Sequence, residues 1–180
     1  EGENYNYDLI EISRQTMTDH AYYLLKDIKK SYEEGDNENY ERLRDKFLSL
    51  VLDLDALLNT NENFMLGTWT EMARAIADEA DGTTDDDKKW LELNNARTLI
   101  TTWGDEVNAN RGGLRDYSYR AWGGMLKDFY YPRWKYFFDN NLLEPSEGWF
   151  AMERQWALDE TLRYANEPKG DAKELLRGLL

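Results

Sequence analysis

The residues with chemical potential in this chain are its carboxylates, one histidine, two isolated arginines and an unusual number of aromatics. Thirty-six Asp and Glu residues invite an acid–base reading. That chemistry needs two carboxylates in different surroundings, so that one keeps its proton. Most of these acids instead fall on the polar faces of amphipathic segments, where water keeps them ionised. Asp85-Asp86-Asp87 lacks the alternating ligands and the glycine of a calcium loop. It suits a helix start, where carboxylates meet the positive end of the dipole. His20 has no His or Cys partner in sequence, so neither a metal site nor a triad is expected. Gly112-Gly113 follows no strand and is not a phosphate loop. No metal and no organic cofactor is expected.

The aromatics say more. Seven Trp and twelve Tyr exceed what an acidic helical bundle needs for packing. Trp90, Trp122, Trp134, Trp149 and Trp156 fall on periodic apolar stripes and read as core. Trp103 differs, because it ends a helix immediately before Gly104 and a polar loop over 105–113. An indole there offers a flat apolar face on which a sugar ring can stack, and loops are where binding residues concentrate. Tyr117, one turn into the following segment, could supply a hydroxyl to the same place. Spacing alone leaves packing and ligand contact both open for Trp103 and Tyr117, with packing ahead. Arg97 and Arg133, set among aromatics, read as ion-paired or stacked in the core.

The elements that must position these residues are helical from end to end. Apolar residues recur at threes and fours from Asp8 to Glu34, where Gly35 ends the helix and Asp36 caps the next. The second stripe, Tyr40, Leu43, Phe47, Leu50, Leu54 and Leu57, suits a helix antiparallel to the first across a short turn. Thr68 with Glu71 suggests a capping box opening a helix through Trp69, Met72, Ala73 and Ile76. A helix from Thr84 to Trp103 follows. After the loop, Leu114 to Phe129 reads as helix, with a kink or restart at Pro132. Ser146 is expected to cap a helix carrying Trp149 and Trp156, and Asp171 a last short one ending at Leu180. The expected fold is all-α, a single domain of about six to seven amphipathic helices packed as an irregular bundle.

Length and charge set outer bounds. A chain of 180 residues is one domain and buries roughly 70% of its extended surface on folding. Its net charge of −14 excludes nucleic-acid binding and adsorption to anionic membranes. No apolar run approaches the roughly 20 residues of a membrane span. There is no cysteine, and hence no disulfide or thiolate metal site. The chain opens without an initiator methionine or a signal peptide, which suggests a processed chain or an excised domain.

Over Arg97 to Phe138 the pattern becomes specific. Arg97, Trp103-Gly104, Leu114, Asp116-Tyr117, Trp122, Gly124 and Tyr130-Tyr131-Pro132-Arg133-Trp134 together resemble the C-terminal helical domain of the α-N-acetylglucosaminidases, glycoside hydrolase family 89. The resemblance extends to Tyr7–Gln15, Phe64–Trp69 and Pro168–Asp171, and so covers nearly the whole chain. Asp105 departs from the family, in which a proline often follows the Trp-Gly pair.

The resemblance implies that residues 1–180 are a single helical C-terminal domain of a larger enzyme, whose small N-terminal domain and catalytic (β/α)8 barrel lie outside this chain. Such enzymes remove terminal α-linked N-acetylglucosamine from glycans with retention, using two carboxylates about 5 Å apart. Both belong to the barrel, so no catalytic residue is expected here and the isolated domain should be inactive. The implied partners are the barrel of the same polypeptide and a glycan ending in α-N-acetylglucosamine. Trp103 and Tyr117 are the positions that the resemblance carries over as pocket-lining. It also implies an extracytoplasmic location: secreted, periplasmic or, in an animal, lysosomal. The rival expectation is an independent acidic helical interaction module with no catalytic role.

Overall fold

The structure is a computed structural model that describes residues 2–80, 84–103, 118, 120–140 and 147–179. Among these it contains seven α-helices and no strand, an all-α domain. Helix α1 (Glu3–Glu34) ends at Gly35, whose φ of 72° is the left-handed value expected of a glycine C-cap. Asp36 then accepts a hydrogen bond from the Asn39 N–H at 3.1 Å and caps α2 (Asn37–Leu58). The two helices fold back on each other, and the Tyr32 and Tyr40 rings meet across the turn at 5.8 Å. Ile10, Met17, Leu24 and Ile28 of α1 pack against Leu43, Phe47, Leu54 and Leu57 of α2, all buried. Each such side chain contributes roughly 1.5–3 kcal/mol.

Helix α3 (Leu66–Glu79) begins three residues earlier than a Thr68 cap would place it. Thr68 is not its cap: its hydroxyl donates to the Glu62 carbonyl at 2.8 Å, across a short 3-10 turn (Glu62–Phe64). The start is set by tertiary contact instead. The Leu66 N–H donates to the Gly123 carbonyl at 3.0 Å, and the Gly123 N–H to the Phe64 carbonyl at 2.8 Å.

Helix α4 (Asp85–Trp90) opens with a capping box, in which the Thr84 N–H donates to Asp87 at 2.9 Å. Asp85, Asp86 and Asp87 are all exposed in its first turn, as a helix start requires. The helix widens into a π segment (Leu91–Arg97) and tightens into a 3-10 turn (Thr98–Ile100) instead of continuing as regular helix to Trp103.

A second π segment (Leu126–Tyr130) leads into α5 (Tyr131–Asp139), with Pro132 in its first turn, so a change of helical form does fall beside Pro132. The expected helix from Leu114 is corrected in its described part. Arg120, Ala121 and Trp122 are not helical, and Gly124 takes a φ of 87° just before the helix starts. Helix α6 (Glu147–Leu158) and helix α7 (Ala172–Leu179) complete the domain. Asp171 caps α7 by accepting from the Lys173 and Glu174 N–H groups, while Ser146 lies outside the described residues.

Two clusters form the core. The larger is the α1–α2 seam with Leu126, Phe138 and Ala172. The second joins Leu66, Ile100, Met125, Phe129, Trp156 and Ala157. Trp149 and Trp156 are buried as expected and Trp122 and Trp134 half-buried, but Trp90 is 58% exposed. Met72 and Ile76, expected on an inward stripe, also face outward. Periodicity identifies a face of α3 but not which face the rest of the chain covers. None of the described helices is long and apolar enough to cross a membrane.

Candidate functional site

Arg97 is the hub of the Arg97–Phe138 region. It has no exposed surface, and its guanidinium Nη1 donates to the Trp156 and Asp159 carbonyls at 3.2 and 2.7 Å. Nη2 donates to the Leu162 carbonyl at 2.9 Å. The Trp156 and Tyr164 rings lie 5.6 and 5.9 Å from it, and Glu92 is its nearest carboxylate partner at 3.7 Å. One rigid, fork-shaped cation therefore ties the irregular stretch after α6 to the end of the π segment. The Trp156 indole donates to the Tyr164 hydroxyl at 2.8 Å, and burial pushes that phenol well above its ordinary range. Tyr164 lies so close to Gly124 that a Cβ there would stand 2.8 Å from the ring. Buried Arg97 and Trp156 and half-buried Tyr164 and Gly124 thus form one continuous chain of contacts between the π segment and the stretch that leads to the Pro-Arg-Trp helix.

Arg133 occupies the corresponding place in α5. Its Nη1 donates to Glu153 at 2.8 Å, and the Trp149 indole donates to the same carboxylate oxygen at 2.6 Å. The Tyr130 and Trp149 rings lie 4.6 and 4.8 Å from the guanidinium. Both arginines are core residues, ion-paired and stacked as expected from sequence. Beside them a cleft of about 350 Å³ is lined by Asp128, Pro132, Arg133, Glu153, Trp156 and Asp159. Burial raises the Asp128 carboxyl, and the Thr161 hydroxyl lowers that of Asp159. Each carboxylate of the cleft already has a partner: Glu153 holds Arg133 and Trp149, Asp159 accepts from Thr161, and Asp128 is hydrogen-bonded to Tyr164. Among the described residues no group of three His, Cys, Asp or Glu side chains could hold a metal ion.

Trp103 stands apart from this core. Thr101 and Thr102 before it are buried, and the Thr101 hydroxyl donates to the Arg97 carbonyl at 2.8 Å. The Trp103 N–H donates to the Thr98 carbonyl at 2.9 Å, which closes the turn. Its backbone has a φ of 58°, the one non-glycine with positive φ among the described residues. A bulky residue in that region costs about 1–3 kcal/mol and persists only where its surroundings fix it. The side chain is 42% exposed. The chain thus anchors the turn with two buried threonines and Arg97 and presents an indole at its tip. Tyr117 and the 105–113 loop lie outside the described residues. Sequence reasoning did not single out Asp55, whose Oδ1 accepts from the Gly124 and Lys127 N–H groups at 2.7 and 2.9 Å. Its position between Leu54 and Leu57 on the α2 stripe was the only available signal.

The fold and these contacts define an all-α domain tied together by two buried arginines. The model of the α-N-acetylglucosaminidase C-terminal domain matches residues 1–180, and the chain belongs to that family. It is 26% identical to human alpha-N-acetylglucosaminidase over 193 residues, covering 96% of this chain and 23% of that protein. A family 89 glycoside hydrolase from Clostridium perfringens in complex with PUGNAc superposes with a TM-score of 0.87 at 31% identity, over 98% of this chain and 21% of that one. A doubly substituted form of the Clostridium enzyme, in complex with its substrate GlcNAc-alpha-1,4-galactose, gives 0.84 at 32% identity, over 96% and 20%. The chain therefore spans less than a quarter of the length of these relatives.

Proposed function

We propose that this chain is the C-terminal helical part of an exo-acting, retaining α-N-acetylglucosaminidase, packing on a catalytic barrel and lending one wall to its sugar pocket. The observation that carries the reading is Trp103: an exposed indole held in a strained turn, in a chain matched over its whole length by a domain of that enzyme family. Strain of this kind is retained where function uses it. Trp103 would stack on the sugar, and Tyr117 would supply a hydroxyl from across the loop. The chain's own contribution is binding and orientation, with Arg97 fixing the turn that carries Trp103. The nucleophile and the acid/base would come from the barrel, so the 180 residues alone would not hydrolyse a glycoside. An extracytoplasmic location belongs to the same reading, and fractionation of source cells would test it.

The deciding experiment is hydrolysis of an aryl α-N-acetylglucosaminide by the full-length polypeptide, with the anomer of the first product read by NMR. Release of the α-anomer is expected. No release by the full-length protein, or release by residues 1–180 alone, overturns the reading.

A further inference from the structure

We propose that the outward face shared by α3 and the Leu91–Ile100 segment is the surface on which the catalytic portion of the polypeptide seats. This rests on the reading above and adds the location of the interface. Met72 and Ile76, one turn apart on α3, are 55% and 63% exposed, and Leu99 opposite them is 42% exposed. With Ala73, Leu91 and Asn95 they line a groove of about 150 Å³. No charged side chain lines it, in a chain whose residues are 32% charged. The groove is preformed. Arg74 bridges its two walls to Glu92 at 2.9 Å, and the Trp69 indole donates to the Ala96 carbonyl at 2.6 Å. Trp90, 58% exposed, lies at the junction of α4 with the same segment. Depletion of charge with enrichment in Met and Trp is the composition of interface cores.

Two other exposed apolar patches lack this character. Tyr22 and Tyr23 of α1 carry hydroxyls, and the Lys26 ammonium sits 4.3 Å from the Tyr22 ring. Ile12 and Leu179 border a cleft that also contains His20, Lys46 and Asp53. The occupant follows from length. This domain accounts for 23% and 21% of its relatives, so more than three-quarters of such a polypeptide must find a seat on it or beside it. Contacts between domains of one chain typically bury 600–1,500 Å².

The test is hydroxyl-radical footprinting of the native full-length polypeptide, each residue normalised to its rate in denaturant, with hydrolysis assayed on the same sample. Burial in an interface core should slow Met72 oxidation about fivefold from its exposure here, while Tyr23 stays reactive. Met72 as reactive as Tyr23 overturns the proposal. So does protection that disappears on dilution to a monomer, since the occupant would then be a second copy. An active enzyme with a reactive Met72 removes only the docking face. An inactive polypeptide with a protected Met72 removes the glycosidase reading and leaves the docking face standing.

Discussion

Arg133 and Glu153 meet at 2.8 Å with both side chains buried, and the carboxylate also accepts from the Trp149 indole. The Pro-Arg-Trp segment of α5 is thereby fixed to α6 through one oxygen shared by two donors. Removing one partner of a buried pair strands the other. Arg133→Met should therefore cost about 3–5 kcal/mol in equilibrium unfolding. Arg133→Lys should recover only part, because an ammonium cannot keep both the ion pair and the planar stacking on Tyr130 and Trp149. A loss below 1 kcal/mol for Arg133→Met would show that the pair does not hold the two helices together.

Asp55 does for the next helix what a local cap does elsewhere, but from a different helix. Its carboxylate receives the Gly124 and Lys127 N–H groups, and Asn59 donates to its other oxygen at 2.9 Å. Asp55→Ala should cost about 1–2 kcal/mol. Burial raises the Asp55 carboxyl, outweighing the two amides that act to lower it. The native state thus holds this proton more tightly than the unfolded chain. The Asp55 contribution to stability then rises as pH falls through the interval between its raised native value and the ordinary aspartate value. The stability gap between wild type and Asp55→Ala should widen on acidification from neutral toward that ordinary value. A gap that narrows over this range would mean that the amides win over burial.

Much of the fold was legible because local chemistry and tertiary packing agree there. The α1–α2 hairpin, its Gly35 and Asp36 signals and the Thr84 start depend on residues within a few positions of each other, and they read directly. The α3 start did not, because the Phe64–Gly123 and Leu66–Gly123 pairings replace the side-chain cap that Thr68 appeared to offer. Ala121 and Trp122 keep helical spacing without helical backbone, since Gly123 is used for that same pairing. Trp90, Met72 and Ile76 carry a core signature that spacing cannot distinguish from an interface. At the candidate site, Trp103 was legible as an indole before a loop, but its left-handed backbone left no trace in composition.

Glycines provide a test of packing independent of charge. A Cβ on Gly67 would overlap the Ala165 backbone carbonyl, which cannot rotate away. Gly67→Ala should cost about 1–3 kcal/mol or more, as overpacking does. Gly178 in α7 has nothing within 4 Å of the same position. Gly178→Ala should stabilise by about 0.5–1 kcal/mol through helix propensity. Chemical unfolding of the two variants side by side checks both signs, and equal effects would place the 164–166 stretch elsewhere.

Trp103 allows strain and function to be separated within one residue. A left-handed L-residue costs about 1–2 kcal/mol that glycine avoids. Trp103→Gly should therefore leave stability equal to or above that of Trp103→Ala, since both lose the same indole contacts and only glycine relieves the left-handed backbone. On the proposed function, both substitutions should lower kcat/KM of the full-length polypeptide on an aryl α-N-acetylglucosaminide by similar factors. Loss of one stacked ring corresponds to about 0.5–1.5 kcal/mol, or roughly two- to tenfold. If both variants instead unfold several degrees early with unchanged kcat/KM, the indole is a packing element and the pocket wall lies elsewhere. If Trp103→Gly is less stable than Trp103→Ala, the turn is not strained, and its conformation is no longer evidence for a site.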